Sequence, residues 1–77
     1  MELYLKLTAG SKWSTSANLR HTLEDTIEAR SLGRVIESGS SEQVMEVWID
    51  TTENKLQEIL EIAESLGFDR CLYQWNE

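Results

Sequence analysis

A chain of 77 residues has the size of one small domain, which hides only roughly 60% of its unfolded surface and so needs an efficient core. Lys+Arg 7 against Asp+Glu 14 leaves a formal net charge of -7, while 40% hydrophobic residues in clear periodic patterns exclude a disordered chain. That sign repels phosphate backbones and anionic lipid, so nucleic acid and membrane are disfavoured as partners and a basic protein is favoured.

Cys71 is the only cysteine. It cannot form an intrachain disulfide, which points to a reducing compartment. No stretch approaches the roughly 20 apolar residues of a membrane span, and MELYLKL lacks the basic-then-apolar order of a signal peptide. The expectation is a cytoplasmic protein with residues 1–77 as a single domain.

In chain order, Leu3, Leu5 and Leu7 alternate with other residues, and period two predicts a strand over 2–8. A helix over 16–31 follows, because Leu19, Leu23 and Ile27 repeat at i, i+4 and i+8 and Ser16 suits its N-cap. Gly33 is placed to close it in a left-handed conformation. Val35 and Ile36 mark a strand over 34–38, SGSSEQ at 38–43 a turn, and Met45, Val47 and Ile49 a strand over 43–50. Thr51 or Thr52 then caps a second helix over 52–66, with Leu56, Ile59, Leu60, Ala63 and Leu66 on one side and Gly67 as its stop. Cys71, Leu72, Tyr73 and Trp75 predict a last strand over 70–75.

The tripeptide Ser-Leu-Gly stands at 31–33 and again at 65–67, which suggests an imperfect duplication of a βαβ unit. Two such units with right-handed crossovers resemble the ferredoxin-like arrangement, α+β with order βαββαβ. That resemblance implies a four-stranded antiparallel sheet with both helices on one face. Leu5, Leu23, Ile27, Val47, Leu56 and Leu60 are the expected centre of its core. Many functions share this fold, so function must be read from sites.

Aligned on its strands and helices, the first half carries an extra stretch, TAGSKWSTS, between strand and helix. Long connections of this kind tend to be functional, and Trp13 in its middle is either a lid on the core or an exposed anchor for a partner. On the strands, Tyr4 and Trp48 fall on the face away from the helices, and Tyr73 and Trp75 join them if Leu72 points inward. Such an aromatic face marks a protein contact or a self-association surface. RNA-recognition modules stack bases at similar strand positions, but QVMEVWID puts Glu46 and Asp50 where a phosphate would approach and lacks their glycine-aromatic run.

Acids dominate the later chain: residues 36–77 hold ten against Lys55 and Arg70. Glu53, Glu58, Glu61 and Glu64 lie outward on the second helix, either as a solvated face or as one that docks on a basic groove. Lys12, Ser14, Ser16 and Arg20 cluster at the start of the first helix, where backbone N–H groups and the helix dipole can hold a small anion. Acylphosphatases use this loop of this fold, but their glycines and the Asn on their third strand are missing here. His21, Asp25 and Glu28 share a helical face without a second segment to complete a metal site, and Cys71 with His21 is the one conceivable nucleophile and base. No metal, cofactor or catalytic residue is assigned.

Small size, acidity and two contact surfaces resemble, at the level of class, the immunity proteins and antitoxins that cover basic effectors. On that reading the chain is a non-enzymatic inhibitor binding through Tyr4, Trp13, Trp48, Glu58, Glu61, Tyr73 and Trp75. The alternative is a ligand-sensing or small-anion-binding domain that forms a homodimer through its open sheet face.

Overall fold

The computed structural model describes residues 1–8, 16–41, 44–68 and 70–76. Its elements run β1 (Glu2–Thr8), α1 (Ser16–Ala29), β2 (Arg34–Ser41), β3 (Val44–Asp50), a 3-10 turn (Glu53–Lys55), α2 (Leu56–Ser65) and β4 (Arg70–Asn76). The four strands form one sheet in the order β2-β3-β1-β4, each neighbouring pair antiparallel. This is the ferredoxin-like α+β fold.

Alternation does what period two requires. Leu3, Leu5 and Leu7 pair across the sheet with Ile49, Val47 and Met45, and all six are fully buried. Against them pack Leu23 and Ile27 of α1 and Ile59, Ile62 and Ala63 of α2. Both helices therefore lie on one face, and among the described residues no element covers the other.

The helix contribution corrects the expected core in one respect. Leu56 and Leu60 border the cluster half-buried, whereas Ile59 is fully buried, so the centre of the α2 stripe lies between the positions chosen from spacing alone. Phe68, just past α2, completes the cluster.

The helix ends correct the duplication. Ser31, not Gly33, takes the left-handed conformation after α1 (φ 56°), and Gly67 takes it after α2 (φ 94°). Around Ser31 the bonds Ser31 N to Glu28 O (3.1 Å) and Leu32 N to Ile27 O (2.9 Å) satisfy the last carbonyls of the helix. Equivalent end residues are thus 36 apart, Ser31 with Gly67 and buried Leu32 with buried Phe68. The shared Ser-Leu-Gly is not the structural repeat.

Gly33 has a different task. A Cβ there would stand 2.8 Å from Ile49 Cγ2 and 2.9 Å from Asp50 O, so only glycine lets β2 begin this close to β3. Beside it, the Thr51 hydroxyl donates to Leu32 O (2.6 Å) instead of capping a helix, and Thr52 makes no side-chain cap bond either.

Candidate functional site

Register decides which side chains share the uncovered face. Across the sheet, Glu37, Trp48, Tyr4 and Gln74 form one row, and Gly39, Glu46, Lys6 and Leu72 the next. Tyr4 and Trp48 meet with ring centroids 5.1 Å apart at 44°. The Tyr4 hydroxyl donates to a Glu46 carboxylate oxygen. That bond raises the phenol pKa above its ordinary 10.0, helped by burial and by the negative charge of Glu46, because the ionised phenol could no longer donate. Both predicted aromatics are therefore brought together, in a small network with an acid.

Tyr73 and Trp75 do not join them. They pair with Leu5 and Leu3, whose side chains enter the core, so both point to the helix side. Cys71 lies on that side too, opposite Leu7. Leu72, opposite Lys6, is the apolar β4 residue on the uncovered face, and it is 56% exposed. Sequence left the β4 register open because Leu72 sets an apolar residue on the face opposite to Cys71, Tyr73 and Trp75. Pairing with β1 closes the question.

Among the other sequence candidates, Trp13, Lys12 and Ser14 lie outside the described residues, as does the side chain of Ser16. Arg20 is committed elsewhere: its Nε is 3.2 Å from Glu24 Oε2, and Nη1 donates to Ser40 Oγ on β2 at 2.5 Å. A guanidinium held this way ties α1 to β2 at the sheet edge. Glu24 also faces His21 Nδ1 at 3.7 Å, and Glu28 accepts from Val35 N at 3.2 Å. Two of the three residues of the possible metal edge, His21 and Glu28, thus face internal partners, and among the described residues no group of three ligating side chains is gathered.

The nucleophile and base are separated as well. His21 is exposed on α1, which packs over β2 and β3, while Cys71 lies on β4 under α2. Burial pushes the Cys71 thiol from the ordinary 9.0 up to about 11, so it is a neutral side chain at physiological pH. A shallow groove between α2 and β4, bordered by Gln57, Leu60, Glu64, Phe68 and Cys71, runs beside it. Glu53 of the 3-10 turn and Glu58, Glu61 and Glu64 of α2 are exposed, with Glu58 3.6 Å from Arg30. No described helix is long and apolar enough to cross a membrane.

No protein-family model matches the sequence, and neither does any curated protein. In shape the chain is similar to a solved structure assigned as a C-terminal regulatory domain of aspartate kinase from Porphyromonas gingivalis W83. The TM-score is 0.72 at 18% identity, over 95% of this chain and 49% of that one. This chain thus spans about half the length of that neighbour. At such identity the likeness establishes the ferredoxin-like fold and nothing finer.

Proposed function

We propose that this chain is a non-catalytic regulatory module that senses a small ligand and works as a pair of copies joined through the sheet. The observation that carries the pairing is the sheet itself: helices cover one side only, and Leu72 on its outermost strand β4 is more than half exposed. Likeness in shape to a regulatory domain supports the sensing class. The separation of His21 from Cys71 supports a non-enzymatic role, since a nucleophile needs its base within hydrogen-bond reach.

An inhibitor of a basic effector retains the exposed acids of α2 in its favour, but a solvated helix face accounts for those equally well. The comparisons offer nothing that supports it.

Thermal melting with inorganic phosphate and small carboxylates, beside sedimentation of the free protein, tests the proposal. A ligand at about 100 times its dissociation constant should stabilise by about 2.7 kcal/mol. Melting unmoved by every small ligand, together with a sharp rise on adding a basic protein, would favour the inhibitor.

A further inference from the structure

Leu72 and Tyr73 are neighbours on β4, 56% and 50% exposed, and successive strand residues point to opposite faces of a sheet. A body stacked on the uncovered face could cover Leu72 but would leave Tyr73 in water on the helix side. Only a partner lying alongside β4 covers both.

β4 is also the outermost of the described strands at one edge of the sheet, and it differs from β2 at the other edge. β2 has a register irregularity between Val35 and Glu37 and carries the charged Arg34 and Glu37, features of the kind that blunt an edge against further pairing. β4 runs Arg70–Asn76 without proline, glycine, lysine or bulge, and Arg70 is its one charged residue. Its sequence complements itself: in an antiparallel pair centred on Tyr73, Leu72 faces Gln74, Cys71 faces Trp75 and Arg70 faces Asn76. Within Arg70–Asn76 no like charges meet, and the tyrosines stand opposite each other on the two-fold axis.

We infer that β4 is an interaction edge at which a second copy of this chain adds, antiparallel and edge to edge, to continue the sheet. This rests on the self-association proposed above and names its surface. Alternate N–H and C=O groups on the outer side of β4 supply the bonds, and Leu72 and Tyr73 bury against the partner on the two faces.

Sedimentation equilibrium from about 1 μM to about 1 mM in physiological salt, with amide exchange along β4, tests it. Tyr73→Lys and Leu72→Lys should each raise the dimer dissociation constant about tenfold or more, with the melting of the monomer preserved because both side chains are half exposed. Trp48→Lys, on the uncovered face away from β4, should associate like the parent. Alternate β4 amides should exchange more slowly as the parent is concentrated. Tyr73→Lys associating like the parent, or β4 amides indifferent to concentration, overturns the edge assignment while self-association stands. A parent monomeric throughout overturns both.

Discussion

Gly33 and Ile49 approach so closely that a Cβ on the glycine would lie 2.8 Å from Ile49 Cγ2, with Asp50 O only 0.1 Å farther at 2.9 Å. A side chain can rotate away but a β3 carbonyl in the ladder cannot. Gly33→Ala should therefore cost about 1 to 3 kcal/mol in urea unfolding. Ser31, two residues earlier, has the opposite expectation. Its φ of 56° strains any residue with a Cβ, so Ser31→Gly should be neutral or stabilise by up to about 1 kcal/mol. Equal losses at both sites would mean that the end of α1 is closed differently.

Ile59 and Leu60 are adjacent on α2 but differ in burial, the first complete and the second partial. Ile59→Ala should cost about 2 to 5 kcal/mol, a large part of the stability of a domain this small. Leu60→Ala should cost less than half as much. Chemical denaturation of the two variants side by side reads the difference, and a larger loss at Leu60 would rotate the helix face.

Buried Thr51 ties the end of β3 to the loop after α1 through its 2.6 Å bond to Leu32 O. Thr51→Val keeps the shape but leaves that carbonyl without its donor, which should cost about 1 to 3 kcal/mol. Thr51→Ser, retaining the hydroxyl, should lose less. Thermal melting compares them.

Cys71 should respond to pH in two ways. With its thiol held up at about 11, alkylation by iodoacetamide at pH 8 should be much slower than for free cysteine, and unfolding in denaturant should remove the difference. The sign of the stability effect follows from proton counting. Between pH 9 and 11 the unfolded thiol has lost its proton and the folded one still holds it, so stability falls as pH rises through that window. Cys71→Ser should flatten that part of the fall. A parent that loses no more stability there than Cys71→Ser would show the thiol to be solvated in the folded protein.

Two copies each carrying -7 repel before they touch. Association through the uncharged centre of β4 should therefore strengthen with added salt, since screening removes the repulsion and leaves strand pairing intact. Sedimentation at two ionic strengths measures it. Association that weakens with salt would point instead to a charged interface.

Element order, strand faces and much of the core were legible in the sequence because they depend on local periods. Leu3, Leu5 and Leu7 must share a face at period two, and Leu23 and Ile27 must share one at four-residue spacing. Where no period discriminates, the sequence is silent. β4 carries Cys71, Tyr73 and Trp75 at alternate positions with apolar Leu72 between them, so Tyr73 and Leu72 were assigned to faces by pairing with Leu5 and Lys6 of a strand more than 60 residues earlier. Gly33 and Gly67 follow the same two residues, yet one is needed for close approach to β3 and the other for its left-handed backbone. Identical tripeptides cannot encode that difference, because it arises from how near β3 comes to the end of α1. Composition determined the sign of its charge, and periodicity which residues it buries. Only the assembled sheet decided which edge is guarded, because an edge is defined by the strand that is not there.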